Sequence, residues 1–194
     1  MSRRIAIIQG HPDGSQPHFG HALAAAYEEA AKAAGHEVRR LDVAGMDLAP
    51  LRSKADWESE PTSESVLDAQ VVVQWAEHLV IFYPLWLGSM PAILKAFFEQ
   101  VFRPGFAVNR DQSEHWKKRL RGRSARIVVT MGMPALVFRA YFLSHSLKAL
   151  ERNILGFCGI GPVRASLIGM VEAPRSGPRE KWLETMSRLG GKGD

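Results

Sequence analysis

Three short apolar runs constrain this chain more than any other feature. RIAIIQ (4–9), HLVIFYP (78–84) and ARIVVTMG (125–132) show little alternation of polar and apolar residues, and each stops close to a glycine or proline. Runs of this length without a polar face read as strands covered on both sides, the pattern of a parallel sheet held between layers of helix. The stretches between them are of the right kind. HALAAAYEEAAKAAG supplies strong helix formers from His21 to Ala34, with Gly35 placed just beyond the helix end, and HEVRRLDV then reads as a second, more exposed strand.

Further along, a helix is expected from Ser65 to Glu77 and another from Met90 to Phe102, with Pro91 in its first turn, where a missing N–H does no harm. The spacing of Phe138, Phe142, Leu143, Leu147 and Leu150 predicts one helix from Phe138 to Leu155. GPVRASLIGMV gives a fifth strand and GPREKWLETMSRLGG a short C-terminal helix capped by glycines. Strands alternating with helices in this way make an open α/β sheet, a doubly wound parallel sheet of five strands with helices on both faces. The segment AGMDLAPLRSKADWESEPTSE has no clean period and is too long for an idle connection, so it reads as a functional flap or edge loop. With 194 residues, 46% of them apolar, the chain makes one domain with a full core.

The loop between the first strand and first helix, GHPDGSQPHFG, precedes a helix start, where free N–H groups favour an anion. It matches neither familiar phosphate motif. No lysine follows Gly14 as a P-loop requires, and only Gly10 and Gly14 precede the helix, which is one glycine short of G-x-G-x-x-G. Cys158 is the single cysteine, so an internal disulfide and a multi-cysteine metal site are excluded, no metal site is expected, and redox chemistry must come from a cofactor. In its apolar setting GFCGI, Cys158 reads as a buried small hydrophobe. The N-terminal apolar run is too short for a signal peptide, and no apolar stretch suffices to span a bilayer, so a cytoplasmic protein without membrane insertion is expected. The charge of +5 gathers locally in HWKKRLRGRSAR. Lys117, Lys118, Arg119, Arg121, Arg123 and Arg126 read as a solvated face, or as a rim for a nicotinamide cofactor's phosphates, and no nucleic-acid partner is inferred from them.

In an open α/β sheet the ligand sits outside the carboxyl ends of the strands, near the switch in strand order. That singles out the loops His11 to Gly20, Pro84 to Met90 and Thr130 to Pro134. The first suits a phosphate; the second, PLWLGSMP, offers apolar and aromatic surface; the third, TMGMP, offers a glycine turn with a threonine. Phosphate at one end and a flat apolar heterocycle at the other describe a flavin nucleotide.

The stretch YPLWLGSMPAILKAFFEQVF followed by GFA, together with GHP after the first strand and FCGI near the end of the fourth helix, resembles the flavodoxin-like NAD(P)H:quinone oxidoreductases. The resemblance runs from Ile5 to Val171. It implies a flavodoxin strand order, a bound FMN or alternatively FAD, and hydride transfer from NADH or NADPH to a quinone or similar acceptor. By position it assigns His11, Ser15 and Phe19 to the phosphate loop. Pro84, Leu85, Trp86 and Leu87 fall along the isoalloxazine, and Thr130, Met131, Gly132 and Met133 form the third flavin loop. Two departures stand out. The third loop reads TMGM where the family has two threonines and two glycines, which points to a more crowded and apolar pocket. The first loop is longer than usual, with Gly20 in place of an asparagine whose contact falls to His18 or Gln16.

Tyr141 and His145, one turn apart on the expected helix, look similar to a family tyrosine and histidine that balance charge on the reduced flavin; the alternative is a neutral core or interface role. The resemblance also implies a homodimer, and the excess of phenylalanine in the helix from Met90 to Phe102 makes that helix its expected buried face. Two alternatives stay open on sequence: a redox-linked regulatory subunit of a membrane transporter, and an electron carrier of flavodoxin type.

Overall fold

The computed structural model describes residues 2–110, 116–173 and 177–194. Strands β1 (Arg4–Gln9), β2 (Glu37–Asp42), β3 (His78–Pro84), β6 (Ser124–Thr130) and β7 (Val163–Ile168) form one sheet in the order β2-β1-β3-β6-β7. All four pairings are parallel. The chain leaves β1 toward one neighbour, β2, and returns on its other side as β3, so the strand order switches between β1 and β3.

Helices cover both faces, and the strands show why the apolar runs do not alternate. Ile5, Ile7, Val80 and Phe82 pack with Leu23 and Tyr27 of α1 (Phe19–Ala33) and with Met186 and Leu189 of α8 (Gly177–Lys192). Their sequence neighbours Ala6, Ile8, Leu79 and Ile81 pack on the opposite face, against Val66 and Val73 of α3 (Glu64–Trp75) and Leu94, Phe97 and Val101 of α4 (Ala92–Val101). Every residue of these strands has a helix to meet, so period two is erased from the sequence. The exposed edge strand β2 keeps it.

Four expectations are corrected. The segment after β2 is not a bare loop: it carries α2 (Lys54–Glu58), whose N-cap Ser53 accepts the Asp56 N–H while the Asp56 carboxylate accepts the Ser53 N–H. Arg103, 5% exposed, clamps that segment by donating to the carbonyls of Asp56 and Ser59. A short antiparallel hairpin, β4 (Val108–Arg110) with β5 (Trp116–Lys118), follows α4 and has no counterpart among the expected elements.

The single helix expected from Phe138 to Leu155 is broken. α5 (Ala135–Ala140) stops where Leu143 and Ser144 turn left-handed, with φ of 50° and 51°, and the Ser144 N–H reaches back to the Phe138 carbonyl. The chain resumes as α6 (His145–Lys148), a π-helical turn (Ala149–Leu155) and α7 (Gly156–Cys158). Finally, α8 is longer than expected, with Gly190 and Gly191 inside it; the left-handed residue after its end is Gly193, at φ 64°.

Candidate functional site

Loops following β1, β3 and β6 meet outside the carboxyl ends of their strands. The first is set by Gln9, buried at the end of β1: its amide donates to the Gly20 carbonyl and accepts the His11 N–H, tying the loop to the start of α1. A Cβ at Gly10 would stand 2.7 Å from Leu94 Cδ2, so a side chain there would have to push the core residue Leu94 aside.

His11 is 7% exposed, and its ring is stacked on that of His18 with centroids 3.9 Å apart. His21 and Trp86 meet it edge-on at 5.2 and 5.9 Å, so His11 joins the first loop to the second. Burial pulls the pKa of His11 down, and the neighbouring His18 and His21 add to this. His11 Nδ1 lies 3.1 Å from the Asp13 backbone nitrogen and 3.2 Å from the Asp13 carbonyl oxygen, so one tautomer accepts from the N–H and the other donates to the carbonyl.

Asp13 is the centre of this loop. Its Oδ1 accepts from the Ser15 N–H at 2.8 Å and the Ser15 hydroxyl at 2.6 Å, and its Oδ2 lies 2.9 Å from His18 Nε2. The Ser15 hydroxyl, followed by His18, holds the Asp13 carboxyl far below the usual carboxylate range. Helix α1 begins at Phe19, whose N–H is one of the unpaired donors of its first turn. Ser15 and His18 therefore converge, beside the start of α1, on the anionic carboxylate of Asp13.

The second loop closes on itself. Trp86 and Ser89 exchange both backbone hydrogen bonds at 2.9 Å around Leu87 and Gly88, which have φ of 46° and 75°. Two successive left-handed residues make a tight hairpin turn that favours glycine or asparagine, yet the first of them here is a leucine with a fully exposed side chain. Pro84 ends β3 in register with Thr130, and the Leu85 N–H donates to the Thr130 carbonyl. Beside this loop runs an apolar groove of about 660 Å³, lined by Trp86, Leu87, Met90, Pro91, Ala149 and Ile154. The π-helical turn supplies one wall of it.

In the third loop the two methionines behave differently. Met131 is 2% exposed and belongs to the core; its N–H donates to the Ile168 carbonyl and its own carbonyl accepts the Val171 N–H. Its thioether therefore does not crowd a pocket at the sheet's mouth, contrary to the expectation from TMGM. Met133 is half-buried at the rim, and Glu172 lies against Gly132, its carboxyl 3.6 Å from where a Cβ would be. The N–H groups of Gly132 and Met133 have no hydrogen bond among the described residues.

The remaining sequence expectations meet a different arrangement. Tyr141 and His145 lie on opposite sides of the helix break and share no helix face; both are exposed. The basic run forms no rim here, because it leads into the amino end of β6. There Arg123 donates to the carbonyls of Val73 and Gln74, Arg126 is buried against Asp194, and Lys118 donates to the Gly156 carbonyl. Phe97, Phe98 and Phe102 are all core residues, so they offer no surface for a partner. Cys158 is buried, which pushes its thiol up to about 12 and leaves it unreactive. Among the described residues no group of histidine, cysteine and acidic side chains could hold a metal ion, and no helix is long and apolar enough to cross a membrane.

Gln9 and Asp13 are the two residues of the site that motif reading missed. A polar residue ending an otherwise apolar strand, and the turn sequence PDGS, were their signals.

A family profile described as flavodoxin-like fold matches residues 3–188, nearly the whole chain. The chain belongs to this family. Among curated sequences it is 25% identical over 182 residues to an uncharacterized NAD(P)H oxidoreductase of Haemophilus influenzae, covering 92% of this chain and 89% of that protein. It is 27% identical over 190 residues to the rat NAD(P)H dehydrogenase [quinone] 1, covering 86% and 68% respectively. Among solved structures, the NAD(P)H:quinone oxidoreductase of Methanothermobacter marburgensis superposes with a TM-score of 0.85 over the full length of both chains at 23% identity.

Proposed function

We propose that this flavodoxin-like chain is an NAD(P)H oxidoreductase that binds one flavin, preferably FMN, across its three loops and reduces a quinone or similar flat acceptor in the cytoplasm. One observation carries the reading: an anion cradle at the start of α1 and an apolar groove beside Trp86 stand at the same end of one sheet, bridged by the His11–Trp86 contact. The donors around Asp13 fit a phosphate, since they already converge on an anionic group. The names of the relatives support the oxidoreductase class and the nicotinamide donor.

In this reading His11, Ser15, His18 and Phe19 hold the phosphate; Pro84, Leu85, Trp86 and Leu87 lie along the ring. The N–H groups of Gly132 and Met133, without a hydrogen bond among the described residues, would be available to donate to the bound flavin, where donors stabilise negative charge on reduction. When bound, the flavin supplies the hydride-carrying chemistry, and the protein supplies orientation and electrostatics. Met131 serves through its backbone and its core packing. Tyr141 and His145, displaced from each other by the helix break, are assigned no proton transfer. Thr130, 7% exposed, closes the register between the second and third loops.

Titration with FMN and FAD, followed by a visible-band shift, together with steady consumption of NADH or NADPH in the presence of a small quinone, tests the proposal. Saturable binding of one flavin per chain and flavin-dependent turnover are expected. A protein that shifts neither flavin's spectrum overturns it.

A further inference from the structure

The group that occupies the cradle is part of the chain itself. Three donors, the Ser15 N–H, the Ser15 hydroxyl and His18 Nε2, are committed to the Asp13 carboxylate at 2.8, 2.6 and 2.9 Å. These are the donors that the proposed function gives to a flavin phosphate. An anion entering the loop must either displace the carboxylate or sit beside it, and two negative groups at contact distance repel one another even near solvent. Protonation does not clear the seat in the working range of pH, because the same hydrogen bonds keep Asp13 charged far below it.

We propose that Asp13 is a specificity-determining residue that competes with the cofactor's phosphate for its binding donors and so cancels most of what the phosphate contributes to flavin affinity. The inference rests on the flavin reading above. Its consequence is particular. FMN carries a phosphomonoester with close to two negative charges at neutral pH, whereas riboflavin has the same ring and ribityl chain and no phosphate. An ordinary phosphate cradle strongly prefers FMN. In this chain the phosphate gains three donors only by releasing a carboxylate from them, so FMN and riboflavin should bind with similar affinity and the flavin should exchange readily.

The position is suited to this. Asp13 lies in a surface loop with its side chain 37% exposed, so it can turn out to solvent without disturbing the core. The groups behind it are fixed: His11 is stacked on His18, and Gln9 holds the loop to Gly20.

The test is a pair of dissociation constants, for FMN and riboflavin, measured by fluorescence quenching on the wild-type chain, Asp13→Asn and Asp13→Ser. Asparagine keeps an acceptor for the Ser15 N–H and removes the charge; serine is a second uncharged replacement that keeps the loop's turn-forming chemistry. For both variants we expect FMN to bind tighter by about tenfold or more, equivalent to about 1.4 kcal/mol per decade. Riboflavin should stay within about twofold, since its binding never involved the seat. Proton NMR of the His18 ring gives a readout independent of flavin: inorganic phosphate should shift it at lower concentration in the variants than in the wild type. Equal gains for both flavins would show that Asp13 acts on loop order and overturn the proposal. Unchanged or weakened FMN binding with riboflavin still bound overturns it while leaving the flavin reading intact. Binding of neither flavin to any of the three proteins overturns both.

Discussion

His78 is a residue whose chemistry is set wholly by its place in the fold. It begins β3 at 1% exposure, with Nδ1 2.8 Å from the Ser124 hydroxyl and Nε2 buried without a partner among the described residues. Burial, reinforced by Arg3, Arg126 and Arg164 and opposed by Asp194, pulls its pKa from 6.5 to about 4. Above pH 6.5 the ring is neutral folded or unfolded and contributes nothing to the pH slope. As pH falls below 6.5 the unfolded chain takes up a proton that the folded ring refuses down to about 4, so stability is lost across that window. The full loss is about 3 kcal/mol for this residue. His11 and His21 are shifted the same way and add to it. The carboxylates held low, Asp56 and Glu77 among them, begin to act only below their ordinary values of 3.8 and 4.5. Urea unfolding at intervals from pH 7 to pH 5 isolates the histidines, and His78→Gln should flatten that acid slope even if it lowers stability at pH 7. An unaltered slope would place the titration elsewhere. The same scale shows how far the site was legible. The loop that carries His11 and Ser15 could be read from a strand followed by glycines and a helix, and the two residues themselves were named by the family resemblance. Asp13 could not, because a sequence does not say whether an acidic residue in a turn faces water or fills the seat meant for a ligand.

At the scale of elements, the strands were readable because burial on both faces leaves an unmistakable apolar run, whereas the helix break after α5 left no mark. Helices commonly end at a left-handed glycine, often with a proline just beyond. Here the left-handed pair is Leu143 and Ser144, neither of them a typical helix stop, and the apolar spacing continues through it. Tyr141 and His145 were linked on the strength of that spacing, so the pair came apart with the helix. Glycines misled in the opposite sense at α8. Gly190 looked like a cap and is a packing residue: a Cβ there would lie 2.1 Å from the Tyr27 carbonyl oxygen, where α8 crosses α1. Gly191 has nothing within 4 Å of the same position. Gly190→Ala should therefore force the two helices apart and destabilise the fold by about 1–3 kcal/mol or more. Gly191→Ala, in an open stretch of the same helix, should stabilise it by up to about 1 kcal/mol. Chemical denaturation of the two variants separates close packing from helix propensity. Equal effects would mean that α1 and α8 do not meet as described.

For the whole molecule, five parallel strands followed from alternating apolar runs and helices, their flavodoxin order followed from the family resemblance, and the site end followed from the carboxyl ends of those strands. The partner surface did not. Phenylalanines on α4 suggested that face, but Phe97, Phe98 and Phe102 are taken up by the chain's own core, and side chains of that kind look the same in sequence whether a sheet or a second subunit covers them. Large apolar side chains are left exposed on α3, where Leu67 and Val71 lie, at Phe157 and at Met170, but they gather most densely in the segments that follow the carboxyl ends of β3 and β6: Trp86 and Leu87 in one, Leu136, Val137, Tyr141, Phe142 and Leu143 in the other. An apolar surface beside a ligand groove is the kind that a second copy or a substrate covers. We expect a homodimer that buries this end rather than α4, with each groove near the partner chain. Light scattering at micromolar concentration should then give twice the chain mass of 21.5 kDa. The double variant Leu136→Glu with Tyr141→Glu, which places charges on exposed positions and removes nothing from the core, should give the monomer mass with unchanged circular dichroism. Phe98→Glu, by contrast, should unfold the chain, because it buries an unpaired charge among α4's core neighbours. A wild type that scatters as a monomer at every concentration, or a Leu136→Glu/Tyr141→Glu variant that remains fully dimeric, removes this face as the interface and leaves its apolar surface to the acceptor alone.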